Sequence, residues 1–410
     1  MNCTLVLSVL ALTAVLLAAG GCGSSEERDG TIRFWQFWDI SVVEPIVREF
    51  EAQNPGIKVE VEQLTWQSGL EKIQAAIASG TQPDLCELGS TWVPRFSYEG
   101  VLEDVTAVHS EVADSFLMWD SGLWRGRVYA LPWVQGSRVL FYNEDLFVRA
   151  GLDPADPPET WDELLAAARK IHALSDDISG FGLNLGERYV LYKKFMAFAW
   201  GNGGGILDAS GNVVFDSGEN LEALEFYQVL SRYSLREKQE VLDHNFKSGL
   251  LGMQISGAWN LRNYAEEAPG LNYRVALVPR PSKQAGKHAS FAGAEMLVVF
   301  ANSKNKDDAL RLARHLHQYN QAKALCLEVK SVFPAAVGAI DDPAFAGDEK
   351  VRVFVEQSLT CQTAPAHPGW IEMEDIINRS IEEVLYGKAD PREALSEAAD
   401  ALRVVVKRFE

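Results

Sequence analysis

The sequence predicts an α/β fold: a parallel sheet covered by helices on both faces, followed by a crossing into a second lobe. Three observations carry this. Strand-like and helix-like segments alternate from residue 31 to residue 100, and that order implies right-handed crossovers between parallel strands. The chain has 410 residues, more than one ordinary core accommodates. Two β-like runs, residues 129–133 and 139–142, follow each other closely and read as the passage from one lobe to the other.

The elements follow in order. Residues 31–37 are rich in β-formers. Val43, Ile46, Val47 and Phe50 form a helical stripe that Asn54, Pro55 and Gly56 stop. Residues 57–63 alternate, with Ile57, Val59 and Val61 on one face and Lys58, Glu60 and Glu62 on the other. A helix runs through Leu70, Ile73, Ala76 and Ile77 to Gly80. Residues 84–87 are a short strand, and 92–98 a helix ended by Gly100. Thr160 and Glu163 make a capping box that opens a helix over 164–174. Residues 201–205 are a glycine loop, 253–256 and 295–300 are strands, and 307–319 and 371–386 are amphipathic helices. In such sheets ligands sit beyond the carboxyl ends of the strands. Those ends carry Trp38 and Asp39, then Trp66 and Gln67, then Gly89, Ser90, Thr91 and Trp92.

Composition narrows the partners. With 47% apolar and 23% charged residues the chain is globular in type, and its net charge is −19. A surface this acidic repels nucleic-acid phosphate and anionic headgroups. Residues 5–21 hold no charge and end in small residues, the pattern of a secretory signal peptide spanning 1–21. The stretch from Leu17 to Cys22 resembles a bacterial lipoprotein box, which implies lipidation at Cys22; an ordinary signal cut nearby is the alternative. Residues 22–30 then read as a tether. Cys86, Cys326 and Cys361 remain, and buried free thiols are expected, with a Cys326–Cys361 disulfide as the other option.

Catalytic patterns are missing. The chain has no G-x-S-x-G, H-E-x-x-H, P-loop or G-x-G-x-x-G motif, so neither enzyme chemistry, cofactor nor metal is expected. His315 and His317 are expected on the surface. The 11 tryptophans stand out, because flat aromatic walls match the apolar faces of a sugar ring while polar groups match its rim. Trp35, Trp119, Trp124 and Trp161 read as structural. Trp38, Trp92, Trp133, Trp200, Trp259 and Trp370 fall on predicted loops or helix starts and are candidates for ligand contact.

Several segments, in order over residues 31–405, resemble bacterial extracellular solute-binding proteins of the maltose-binding-protein type. They include Glu49 to Val59, Gln82 to Leu85, Glu99 to Val105, Ala130 to Pro132, Phe141 to Phe147, Pro158 to Leu164, Gly252 to Trp259, Ser303 to Lys306, and Tyr386 to Lys388 with Glu393 to Leu395. The resemblance implies a type II periplasmic-binding-protein-like fold: two lobes, each with a doubly wound sheet, joined by hinge strands. The lobes would be 31–134 with 296–333, and 138–292 with 335–410, hinged near 131–140, 293–296 and 333–336. It implies that Trp259 and Trp370 stack on sugar, and that Asp39, Thr91 and Arg138 are polar contacts. With Gln67, Ser90 and Glu295 from the cleft loops, the expected site is Trp38, Asp39, Gln67, Ser90, Thr91, Trp92, Trp133, Arg138, Trp200, Trp259, Glu295 and Trp370. The implied role is delivery of a sugar or oligosaccharide to the transmembrane subunits of an ABC importer, by a monomer anchored at the cell envelope. Alternatives are the same fold binding a polyamine or a glycerol-phosphate ester, a secreted carbohydrate-active enzyme, and a sensor co-receptor.

Overall fold

A computed structural model describes residues 30–187 and 190–409. The signal-peptide and Cys22 expectations, and the tether up to residue 29, lie outside the described residues. The strands used below are β1 (Thr31–Gln36), β2 (Lys58–Gln63), β3 (Leu85–Gly89), β4 (Leu131–Gly136), β5 (Arg138–Asn143), β6 (Ser179–Asn184), β7 (Ser234–Glu237), β8 (Leu251–Gly257), β9 (Tyr273–Ala276), β10 (Ser290–Phe291), β11 (Gly293–Val299), β12 (Phe333–Pro334) and β13 (Cys361–Gln362). The helices are α1 (Ile40–Gln53), α2 (Gly69–Ser79), α3 (Val93–Tyr98), α4 (Trp161–His172), α5 (Leu191–Gly201), α6 (Trp259–Glu267), α7 (Lys306–His317), α8 (Trp370–Leu385) and α9 (Pro391–Lys407).

Two sheets organise these elements. The first has the order β12-β4-β11-β3-β1-β2, the second β9-β5-β8-β6-β7. β1 runs parallel to β2 and β3, as the strand–helix alternation predicts. β11 is antiparallel to β3 and β4, so the sheet is mixed rather than wholly parallel. In the second sheet β8 is parallel to β6 and antiparallel to β5. The chain passes between sheets at Ser137, the one residue between β4 and β5. Its Oγ donates to the Phe354 carbonyl at 3.0 Å, which pins the crossover.

Local chemistry explains the boundaries. Asp39 caps α1, its carboxylate accepting the Ser41 amide at 2.8 Å. Thr160 and Glu163 form the expected capping box on α4. α2 ends at Gly80 with φ 70°, a left-handed conformation that suits glycine. β2 lies at a sheet edge with Val59 and Val61 half-buried, which accounts for its alternation. The second lobe packs Phe195, Phe198, Trp370, Ile377 and Leu402 in one core. α1 and α7 cover the first sheet through Val43, Phe50, Leu312 and Leu316.

The two histidines on α7 depart from expectation, because the last turn of this helix is buried on both sides. His315 meets the Ile46 carbonyl at 3.3 Å, and His317 meets the Pro132 carbonyl at 2.5 Å. Burial holds His317 down at about 4, so it stays neutral. Cys86, Cys326 and Cys361 are free. Among the described residues no helix is long and apolar enough to cross a membrane, and no cluster of acids, histidines and cysteines could hold a metal ion.

Candidate functional site

The strand directions bring loops of both lobes to one place. β1 and β3 end at residues 36 and 89, and β11 begins beside the latter, Glu295 pairing with Gly89. β4 ends where β11 begins, Gly136 opposite Gly293. From the second lobe, Arg138 opens β5 and pairs with Gly257 at the end of β8.

The first lobe contributes an aromatic corner and a polar floor. Phe37 stacks on Trp66 with ring centroids 4.2 Å apart, and Trp66 stands 5.4 Å from Trp92. Gly89 lies beneath both indoles: a Cβ there would meet Trp66 at 3.4 Å and Trp92 at 3.7 Å. Trp66 is 45% exposed. The floor is Gln36, Glu87 and Glu295. Glu87 accepts the Phe37 amide at 2.8 Å through Oε2, and Gln36 Oε1 accepts the Trp38 amide at 2.5 Å. Glu87 Oε1, Gln36 Nε2 and Glu295 Oε2 are buried without a protein partner. Unpaired buried polar atoms are costly, and a ligand with hydroxyls is one way to satisfy them.

The second lobe contributes a cationic, aromatic wall. Trp259 begins α6 and folds back over Gly257, where any Cβ would collide with the indole at 1.7 Å. Glycine at 257 therefore lets the ring lie flat against the strand end. The Arg138 guanidinium lies 5.7 Å from the Trp259 ring and 4.8 Å from Phe291. The Lys193 ammonium, in the first turn of α5, is 5.3 Å from the same Phe291 ring. Lys194 points elsewhere, donating to Gln239 Oε1 at 3.0 Å and to the Ile255 carbonyl.

Burial sets the protonation of this place. Glu87 is pushed well above the carboxylate range by burial and then by Glu295. Burial raises Glu295 to about 8, against a pull downward from Arg138 and Lys193. Lys193 is lowered to about 8 and Lys194 to about 7, both chiefly by burial. A carboxyl raised on folding stabilises the fold fully below its ordinary value of 4.5, and that contribution fades as pH rises to about 8. The wild-type chain should therefore lose stability relative to Glu295→Gln between pH 5 and 8, by on the order of 2 kcal/mol. Melting curves of both proteins across that range check this. Parallel pH profiles would contradict the burial assigned to Glu295.

The expected site residues divide. Arg138, Trp259 and Glu295 share the place described, with Trp92 in the aromatic corner. Trp38 is half-buried beside Gln36, while Gln67 is exposed. Asp39 serves as the α1 cap, and Ser90 joins β3 to β11, its Oγ accepting the Ala294 amide at 3.2 Å. Thr91 is half-buried between Ser90 and Trp92. Trp133 and Trp200 are corrections. Trp133 is fully buried against Phe34 in the first lobe, because β4 is an internal strand. Trp200 is buried behind Phe291 at 6.3 Å. Trp370 is 1% exposed and packs edge-on to Tyr192 at 5.2 Å. Sequence reasoning missed Lys193, Phe291, Phe37 and Trp66; for Trp66 the signal was present, a tryptophan on a cleft loop beside Gln67.

Elsewhere an opening of about 870 Å³ separates α2 and α3 from the start of α8 and the last described residues. Phe409 crosses it, 5.1 Å from the Tyr98 ring and 5.9 Å from the Arg95 guanidinium.

Comparisons with known proteins bear on the family and the fold. A family model described as bacterial extracellular solute-binding protein matches residues 40–316. A protein of Brucella abortus named as a binding protein is 29% identical over 374 residues, covering 89% of this chain and 90% of that one. The galactooligosaccharide-binding protein of Bacillus subtilis is 26% identical, covering 96% and 95%. Among solved structures, an ABC transporter solute-binding protein from Thermotoga lettingae bound with α-D-tagatose superposes with a TM-score of 0.81 at 28% identity, covering 92% of this chain and 99% of that one.

Proposed function

Because the chain belongs to the bacterial extracellular solute-binding protein family, we propose that it captures a sugar or oligosaccharide between its two lobes and hands it to an ABC importer. The observation that carries this is the pairing of a flat indole with unsatisfied polar groups. Trp259 lies over Gly257 beside Arg138, and Glu87 and Glu295 each present a buried oxygen with no protein partner. A sugar has the matching pair of surfaces, apolar faces and a hydroxyl rim. The galactooligosaccharide and tagatose binders among its relatives support the same ligand class.

The protein works by binding and not by catalysis. A glycosidase needs two carboxyls on either side of the scissile bond. Glu87 and Glu295 sit on the neighbouring strands β3 and β11 of one sheet, so they approach a ligand from the same side. Closure is by hinge motion at the crossovers near 131–140, 293–296 and 333–336. The envelope location follows the family, and Cys22 would carry the lipid anchor. Intact mass of the membrane-extracted protein should then show a diacylglyceryl adduct on a chain starting at Cys22, and a soluble chain starting elsewhere would refute the anchor.

Thermal-shift screening against sugars, polyamines and glycerophosphates tests the ligand class. A sugar at 100 times its Kd should add about 2.7 kcal/mol of stability. A shift by a polyamine with none by any sugar would overturn the assignment.

A further inference from the structure

We propose that the carbohydrate taken by this site carries an anionic group, a carboxylate or a phosphate, which docks between the Arg138 guanidinium and the Lys193 ammonium. The inference deepens the binding-protein reading and rests on it. It begins from two cations brought to one ring. Arg138 at the start of β5 and Lys193 in the first turn of α5 lie 4.8 Å and 5.3 Å from Phe291. The chain order that separates them by 55 positions gives no hint of this meeting.

Neither cation is spoken for. Among the described residues, neither side chain donates a hydrogen bond or forms an ion pair, and the Arg138 Nε is buried with no acceptor. Lys194 next door is the contrast, since it is held by Gln239 and the Ile255 carbonyl. Two like charges set together with no direct ion pair or hydrogen bond among the described residues are costly, and an anion arriving with the ligand would offset both.

The acids in reach do not fill this role. Glu187 already accepts the Gln239 amide at 2.9 Å and the Asn184 side chain at 3.3 Å. Glu374, on α8, acts on Lys193 and on Tyr192 without a direct ion pair to Lys193 among the described residues. Glu295 faces Arg138, and burial pushes its carboxyl toward the protonated form against the pull of Arg138 and Lys193. Such an acid can donate a hydrogen bond to a sugar oxygen without neutralising the guanidinium. Arg138 offers a planar fork that matches a carboxylate or phosphate edge in two parallel bonds, and Lys193 adds a point charge. Trp259 supplies the apolar surface for the ring that bears the anion, and the buried Phe291 backs both cations.

Calorimetric titration of the full chain at pH 7 against matched pairs tests this. The pairs are galactose with galacturonate and glucose with glucuronate, as single sugars and as trisaccharides, together with glucose 6-phosphate and sn-glycerol 3-phosphate. An acidic sugar should bind about thirtyfold or more tightly than its neutral partner, the scale of a charge-assisted pair. A uronate preference identifies a carboxylate and a sugar-phosphate preference a phosphate. In Arg138→Met and in Lys193→Met the margin between acid and neutral partner should shrink to about threefold or less, whatever the substitution does to the neutral partner's own affinity; Arg138→Lys serves should Arg138→Met not fold. A neutral sugar binding as tightly as its acid, or a margin that survives both substitutions, would overturn the charge assignment and leave the carbohydrate reading standing. Binding of no carbohydrate, or of sn-glycerol 3-phosphate alone, would bring down both.

Discussion

Trp259→Ala should weaken sugar binding about thirtyfold while leaving the melting temperature of the empty protein almost unchanged. The indole is half-exposed and lies over a glycine at a strand end, so its removal opens no sealed cavity. What is lost is a large flat contact and the surface against which the Arg138 guanidinium rests. Aromatic anchors of this kind are worth about 2 kcal/mol or more, which is the thirtyfold expected. Trp259→Phe keeps a flat ring and should recover most of the affinity. Calorimetry on the three proteins reads the result, and an alanine variant that binds sugar normally would remove Trp259 from the site.

Trp370→Ala should behave in the opposite way. Its ring is packed edge-on against Tyr192 and sits in the second-lobe core with Met373, Ile377 and Ile381. Truncating a buried tryptophan costs about 3–5 kcal/mol, because the cavity adds to the lost transfer energy. The variant should melt several degrees early. Its effect on binding should be smaller, acting through the Tyr192 and Lys193 turn of α5. Family resemblance implies a stacking role for this residue. Should Trp370→Ala melt like the wild type and lose sugar, that role would be restored and the core assignment would fail.

The contrast between these tryptophans shows what the sequence could convey. The elements were legible because burial imprints periodicity: the stripe through Val43, Ile46, Val47 and Phe50 is the buried face of α1, and the Thr160–Glu163 box marks the start of α4. Arg138 was nameable in advance only through the family resemblance, and Glu295 only as an acid at the start of an expected strand. Lys193 was not legible. α5 is buried along nearly its whole length, so its two lysines stand in an apolar run without the polar–apolar contrast that signals an exposed face. Which of the two meets Arg138 depends on how α5 packs on β10, a tertiary matter. Trp133 misled for a related reason. It follows Pro132 in a stretch that reads as a hinge loop, but β4 is flanked by β11 and β12, and an internal strand buries both faces. His317 likewise looked solvent-facing from its spacing, but Phe116 stacks on it at 3.7 Å, Trp119 stands at 5.8 Å and the Pro132 carbonyl meets its ring.

Phe409 raises the question of where along the interlobe opening a ligand sits. Its contacts with Tyr98 and Arg95 join the C-terminus to α3, on the opening of about 870 Å³ bordered by α2 and the start of α8. The aromatic and charged groups with unmet polar atoms lie instead at the Arg138 crossover. A crystal structure of the protein with the sugar that raises its melting temperature most would decide directly. The account predicts a sugar ring on the Trp259 indole, with oxygens bonded to Arg138 and to Glu295 or Glu87. A sugar seated between Tyr98 and Phe409, or held by one lobe alone without touching Trp259 or Arg138, would contradict it.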